Sequence, residues 1–365
     1  MKAKRYHSPD LSMMFAVFFL IFFGLIMIYS SSAIVANDSY NDFSYFLKKQ
    51  IIWVLLGSVL MFIFINVDYK QWKQAVIPIY MLTIILLVLV LFVGKSVGGA
   101  QRWLSLGAVN FQPSELAKIS TILMLAYFID RKRSKMDTLS KGIIPGLIIM
   151  GLPIVLILAE PDLGIPFIIA SVGLVMLFIG GARFVHLSGI VVVSAPFLLG
   201  LIFVYSYRWK RLISFINPWD DPQGSGYQII QSLLAFGSGG FAGKGLGGST
   251  MKLLYLPTPY TDFIFPIIGE ELGFVGCLGL IVLFVFFSIR GLAVARKADT
   301  LFGSLVCAGL VFAISFQALI NMAVSTGMLP TKGISLPFLS FGGSSLVLTM
   351  AAVGMILNIS RQSKL

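Results

Sequence analysis

The sequence predicts an all-α, polytopic integral membrane protein with ten transmembrane helices and a large ordered extracytoplasmic loop. Three observations carry that prediction. Of 365 residues, 58% are hydrophobic and only 12% charged, with a mean hydropathy of +0.94, whereas soluble domains are about 25% charged. Apolar runs of about twenty residues, the length a helix needs to cross a bilayer, recur from end to end. The 27 Lys and Arg, against 15 Asp and Glu, gather in short segments between those runs, as the positive-inside rule requires.

The apolar segments fall near 11–35, 46–66, 75–93, 113–130, 143–160, 164–181, 187–205, 263–289, 301–325 and 339–359. The first resembles a signal peptide, with Lys2, Lys4 and Arg5 before it and SSSA at 30–33 after it. Its run from Leu11 to Tyr29 is too long for an ordinary signal core, so it reads as an uncleaved first span. An even number of spans puts both termini on one side. With the N-terminus inside, the loops near 67–74, 131–142, 182–186 and 290–300 are cytoplasmic. Together with the termini they hold more than half of the 27 Lys and Arg, including Arg131, Lys132, Arg133, Lys135, Lys141, Arg290, Arg296, Lys297, Arg361 and Lys364.

The net charge of +12 therefore reads as topology and attraction to anionic lipid. No interleaving of basic and aromatic residues suggests a nucleic-acid partner. Cys277 and Cys307 sit in apolar spans and read as small buried hydrophobes rather than a disulfide or metal site. His7 and His186 lie in or beside cytoplasmic segments, which disfavours a histidine metal site. Neither a repeat nor a linker divides the chain, so residues 1–365 read as one domain. The segment 206–261 is its polar exception. Turn-rich NPWDDPQGSG at 217–226 and GSGGFAGKGLGG at 237–248 flank an apolar IIQSLLAF at 229–236, which predicts an ordered cap with a short interfacial helix.

Candidate functional residues follow from polar groups placed where lipid should be. GKGLGG at 243–248 fits G-x-G-x-x-G, but no strand precedes it, and Lys244 is followed by glycine, so nucleotide binding is disfavoured. In GGAQRWLSLGAVNFQPSELAK at 98–118, a helix should begin at Pro113, whose missing N–H costs nothing there. Glu115 then complements the helix dipole in the first turn. Lys118 opposes that dipole and lies i+3 from Glu115, so the two can pair. With Arg102 in the preceding loop and the free amides of the helix start, Lys118 makes an anion-binding arrangement suited to phosphate.

EPDLG at 160–164 brings Glu160 and Asp162 to a break between two spans, where Asp162 either stabilises a turn or serves a site. In YTDFIFPIIGEELG at 260–273, Asp262 stands at the outer boundary. Glu270 and Glu271 point to different sides of the helix deeper in, and Gly269 and Gly273 permit close approach of a neighbouring helix. These two glutamates read as structural glue, and Asp262 as a general base at the outer aqueous face. Lys332 lies in LPTKGISLPFLSFGGSS at 329–345, a Pro/Gly-broken approach to the last span that fits a re-entrant or unwound wall of a site.

The motifs AQRWLSLG (100–107), FQPSELAK (111–118), PDLG (161–164), NPWDDPQGSGYQIIQSLLAFGSGG (217–240), YLPTPYTDFIFPIIGEELG (255–273) and LPTKGISLPFLSFGGSS (329–345) resemble the SEDS family (shape, elongation, division and sporulation). The similarity runs over essentially the whole chain. PTKG at 330–333 resembles the cell-division members more than the elongation members. The resemblance implies ten transmembrane helices and peptidoglycan glycosyltransferase activity on lipid II, a disaccharide-pentapeptide on undecaprenyl pyrophosphate. The family's essential aspartate falls on Asp262, and its cavity residues fall on Arg102, Glu115, Lys118 and Asp162. One departure is visible: the family often has Pro-Glu-x-His before the Thr-Asp, and this chain has PTPY at 257–260.

On that reading Asp262 takes the proton of the acceptor's 4-hydroxyl, and Arg102 and Lys118 clamp the leaving pyrophosphate. No cofactor is demanded; a divalent cation such as Mg or Mn could share that work with Asp262 or Asp162 as oxygen ligands. The resemblance implies a class B penicillin-binding protein transpeptidase and other division proteins as partners. It also implies septal cell-wall synthesis at the bacterial plasma membrane, with the active site on the outer face. Two rival readings are a flippase for the same lipid and a non-catalytic division scaffold.

Overall fold

The computed structural model describes residues 8–97, 100–107, 109–204, 206–253 and 255–363. Lys2, Lys4, Arg5, His7 and Lys364 lie outside them. The described chain runs α1 (Leu11–Tyr40), α2 (Tyr45–Asn66), α3 (Tyr69–Val93), β1 (Lys95–Val97), β2 (Ala100–Leu106), β3 (Val109–Phe111) and α4 (Pro113–Lys132). It continues through α5 (Ile144–Ala159), α6 (Gly164–Ile179), α7 (Phe184–Val204), α8 (Ser206–Ile216) and α9 (Tyr227–Gly239) to α10 (Ile264–Lys297), α11 (Leu301–Ser325) and α12 (Gly343–Gln362). Each expected apolar segment is helical along most of its length. Among the described residues, seven helices are long and apolar enough to cross a membrane. The helix α4 falls outside those seven because Glu115, Lys118 and Asp130 interrupt its apolar run.

The bundle has a centre and a rim. In the most apolar stretches of α11 and α12, 72% and 78% of the residues are buried, against 22% in α2. The first two therefore pack against protein, and α2 presents most of its side chains to lipid. The two ends of the bundle are separately tied together. At one end Arg290 donates to the Asp10 carboxylate at 2.7 and 3.0 Å, and the Tyr69 amide donates to Asn358. At that same end Lys73 pairs with Asp130, and Arg183 with Asp137. The loops expected to be cytoplasmic thus share one face. The site residues gather at the opposite end.

Two features of that opposite end go beyond the sequence expectation. The strands β1, β2 and β3 pair as an antiparallel sheet in that order, so Arg102 lies on a strand rather than in a loop. The outer segment also holds a second helix, α8, in front of the expected α9.

Glycine 273 explains how the outer segment is fastened. Its φ of 65° and ψ of −162° interrupt α10, and a Cβ there would collide with the Gly243 amide and the Phe241 carbonyl. The freed groups pair with the cap. Lys244 and Gly245 donate their amides to the carbonyls of Glu270 and Glu271, and Phe274 and Val275 donate theirs to Gly240 and Phe241. The close approach anticipated at Gly269 and Gly273 is therefore made by α9 and the loop after it, with Phe236 against Gly269, and not by a neighbouring membrane span.

Candidate active site

Five segments converge beside Asp262: β2, the α5–α6 turn, α8, the approach to α10 and the segment between α11 and α12. The last of these is non-helical from Leu329 to Gly342, as its prolines and glycines dictate. Its exposed backbone groups would be costly in lipid. Two of them are met by α11, whose Asn321 donates to the Ile334 carbonyl at 2.6 Å and whose Gln317 donates to the Ser335 carbonyl at 2.9 Å. Asn321 also donates to the Asp262 carbonyl at 2.8 Å. Ser340 donates to the Thr261 carbonyl at 2.6 Å, and the Phe341 amide to the Tyr260 carbonyl at 2.8 Å. The 329–342 segment and the 260–262 segment are thus stitched together, and α11 positions both.

Asp262 precedes the first turn of α10 and is half-buried. Among the described residues, no hydrogen bond reaches its carboxylate, which leaves both oxygens for a ligand. Gly333 lies directly against it; a Cβ there would stand 3.1 Å from Oδ2. Burial pushes the Asp262 carboxyl up to about 6, with Arg102 and Arg211 pulling it down and Asp162 pushing it up. That places it near the working pH of a general base.

Arg102 reaches from β2 to the α5–α6 turn. Its Nη2 donates to the Pro161 carbonyl at 2.9 Å, its Nε to the Glu160 carbonyl at 3.4 Å, and its Nη1 lies 3.7 Å from Asp162 Oδ2. Asp162 takes the turn-stabilising role offered by the sequence, with Oδ1 accepting from the Gly164 amide at 2.7 Å, while Oδ2 faces the arginine. Lys332 lies 4.6 Å above the Phe167 ring, a cation–π contact. Burial lowers its ammonium from the ordinary lysine value, with Asp162 opposing.

Glu115 and Lys118 lie on α4, which starts at Pro113 as expected. Their ion pair is 2.8 Å long, with both side chains buried, and Lys118 also donates to Gln317 Oε1 at 2.5 Å. The pair lines a narrow cavity with Ile122, Ala313 and Gln317. Arg102 is fastened to the α5–α6 turn, and Lys118 to Glu115 and Gln317.

Glu270 and Glu271 are fully buried and hold the cap, as their position predicts. Glu270 accepts from Lys244 Nζ at 2.7 Å, from the hydroxyls of Ser238, Ser249 and Thr250, and from two backbone amides. Glu271 accepts from Lys252 Nζ at 2.9 Å and from Ser30.

Three residues escaped sequence reasoning. Gln317 and Asn321 carry a signal, since two amides spaced i and i+4 in an apolar span mark one polar stripe on its helix. Arg211 carries none. It sits in the run RWKR at 208–211, where nothing separates it from ordinary interfacial charge. In the fold, its guanidinium donates to the Thr331 carbonyl at 3.3 Å and bears on Asp262.

A family model describing a cell cycle protein, FTSW_RODA_SPOVE, matches residues 11–365. The probable peptidoglycan glycosyltransferase FtsW of Trichlorobacter lovleyi is 43% identical over 366 aligned positions, covering 100% of this chain and 96% of that one. Stage V sporulation protein E of Bacillus subtilis is 42% identical over 359 positions, covering 98% of each. A solved structure on the structural coordination of polymerization and crosslinking by a peptidoglycan synthase complex superposes with a TM-score of 0.83 at 29% identity, covering 98% of this chain and 99% of that one. The rod shape determining protein RodA of Thermus thermophilus superposes with a TM-score of 0.72 at 27% identity over 97% of each.

Proposed function

This chain belongs to the FtsW/RodA/SpoVE family of cell cycle proteins, and from that premise we propose that it is a peptidoglycan glycosyltransferase that polymerises lipid II, with Asp262 as the general base. One observation carries the reading. A half-buried carboxylate without a hydrogen-bond partner among the described residues, raised to about 6, stands beside guanidinium groups and against a bare glycine.

The acceptor's 4-hydroxyl oxygen attacks the donor's anomeric carbon and gives its proton to Asp262. The bond from that carbon to the diphosphate breaks, and its electron pair leaves with the phosphate. Arg102, Arg211 and Lys332 supply the cations at the rim that stabilise this charge, and Asp162 holds Arg102 in place. Glu115 and Lys118 would meet the donor from the cavity they line. Gly333 leaves the space in which the acceptor hydroxyl approaches. Among the described residues, no three His, Cys, Asp or Glu side chains gather as a metal site. A divalent cation such as Mg or Mn would be held by Asp262 or Asp162 and would supply charge neutralisation at the leaving phosphate.

By the positive-inside rule, the basic end of the bundle and both termini are cytoplasmic. Asp262 then faces the outer side of the bacterial plasma membrane, where a class B penicillin-binding protein transpeptidase would receive the glycan. The assignment to septal synthesis rests on the resemblance to FtsW relatives.

The test is polymerisation of purified lipid II by the detergent-solubilised protein with its transpeptidase partner, comparing wild type with Asp262→Asn. Polymer from wild type and none from a folded variant is the expected result. Polymer from both removes Asp262 as base, and polymer from neither, with the partner bound, returns the weight to a flippase or scaffold.

A further inference from the structure

The helix α12 begins without a cap. Its N-cap residue is Gly342, so no side chain there accepts from the first turn. Among the described residues, the amides of Gly343, Ser344 and Ser345 have no acceptor. Open amides at the positive end of a twenty-residue helix attract an anion. A second, independent observation points the same way. Ser344, in that first turn, keeps only 5% of its surface exposed, and its hydroxyl has no hydrogen-bond partner among the described residues. A buried hydroxyl is rarely left so.

The helix start is closed on one side and faces a cavity on another. Toward α2, the Trp53 ring lies where a Cβ of residue 343 would be, so glycine is needed there. Leu348 and Thr349 line the cavity that holds Glu115 and Lys118. Ser344 and Ser345 stand four residues before them, one turn above on the same face. Gly342, Gly343 and Ser345 each keep part of their surface exposed. The residues just before the helix are stitched to the Asp262 segment, Ser340 to the Thr261 carbonyl and Phe341 to the Tyr260 carbonyl.

The charged groups of the cavity do not hold an anion by themselves. Lys118 is committed to Glu115 at 2.8 Å and to Gln317, so the pair carries no net charge, and the Glu115 carboxylate opposes a phosphate. We infer that the start of α12, through the amides of residues 343–345 and the Ser344 hydroxyl, is a binding site for the diphosphate of the prenyl-linked donor. The inference rests on the glycosyltransferase reading for the identity of that donor. Charge that develops on the leaving phosphate then meets fixed donors that need no reorganisation.

Substitution at Gly342 separates ligand binding from helix stability. Its φ of −176° is extended, and a Cβ there would meet only Ser345 Cβ, at 3.7 Å. Gly342→Asp therefore fits, and its carboxylate caps the same amides. It should hold or raise the melting temperature while excluding a second anion. Gly342→Ala leaves the amides open and serves as the control.

The test uses the full chain with its transpeptidase partner and reads binding of undecaprenyl diphosphate and of undecaprenol, alongside polymerisation of lipid II. Gly342→Asp and Ser344→Ala should each weaken binding of the diphosphate and slow polymerisation by about tenfold. Gly342→Ala should bind it as wild type does. Undecaprenol, which lacks the phosphates, should bind all four proteins alike. A folded Gly342→Asp or Ser344→Ala protein that binds the diphosphate as wild type does overturns the inference. An equal loss of undecaprenol binding overturns it too, because it marks a distorted groove rather than a lost anion site. Wild type that binds the diphosphate and makes no polymer sinks the glycosyltransferase reading instead, and the binding arms still decide the site on α12.

Discussion

At the scale of single residues, chemistry depends on what is left unpaired. Among the described residues, the half-buried Asp262 carboxylate stands open to a ligand, while fully buried Glu160 has no hydrogen-bond partner on either carboxyl oxygen. Asp262→Asn should lower polymerisation by about 10²- to 10⁴-fold, the usual worth of a general base, with the fold retained. Because the base must be ionised, and burial raises it to about 6, the wild-type rate should climb with pH through that value. Gly333→Ala places a methyl group 3.1 Å from Asp262 Oδ2. It should slow polymerisation about tenfold or more by misplacing the acceptor while the melting temperature stays near wild type. Asp162 and Asp262 were legible because a charged residue at the end of a greasy run stands out, and Arg102 because it lies in the loop leading to the helix start at Pro113. Gln317 and Asn321 carry only the weak signal of their i, i+4 spacing, since an uncharged amide inside an apolar span does not say which partners it will meet. Gln317→Leu should cost about 1–3 kcal/mol by stripping hydrogen bonds from buried Lys118 and from the Ser335 carbonyl, read as a lower melting temperature.

At the scale of elements, breaks matter as much as helices. The interruption of α10 at Gly273 exchanges intrahelical bonds for bonds to the cap. Gly273→Ala combines an unfavourable φ with a backbone collision, so it should destabilise the cap by more than about 2 kcal/mol. Lys252→Met leaves Glu271 buried without its cation, a change that costs about 3–5 kcal/mol for a buried pair. The double variant with Glu271→Gln should recover much of that loss. Limited proteolysis within 243–252 would read both effects. The unwound segment 329–342 was visible in its prolines and glycines as a wall of a site. That the site is the one around Asp262 was not, because Gly333, Ser340 and Phe341 meet the 260–262 segment only in the fold.

At the scale of the whole molecule, the basic loops collect at one end and the reactive groups at the other. Single cysteines at Gln223 and Lys135, both exposed, should therefore label from opposite sides of the membrane, Gln223 from outside in intact cells and Lys135 only after permeabilisation. The native Cys277 and Cys307 are buried and should give little background. Labelling of both from one side would sink the proposed orientation. Hydropathy and charge determined the helical membrane class, the positions of its segments and the grouping of the basic loops, because desolvation of backbone and charge acts residue by residue along the chain. The motifs carried the resemblance that points to Asp262 and Arg102. Only the tertiary structure decided which polar groups meet. It placed Arg102 on a strand against the α5–α6 turn, tied Lys118 to Gln317, brought Arg211 and Gly333 to Asp262 and left Glu160 bare. Those outcomes depend on helices distant in sequence packing at one end of the bundle, and no local pattern records which neighbours a side chain will find.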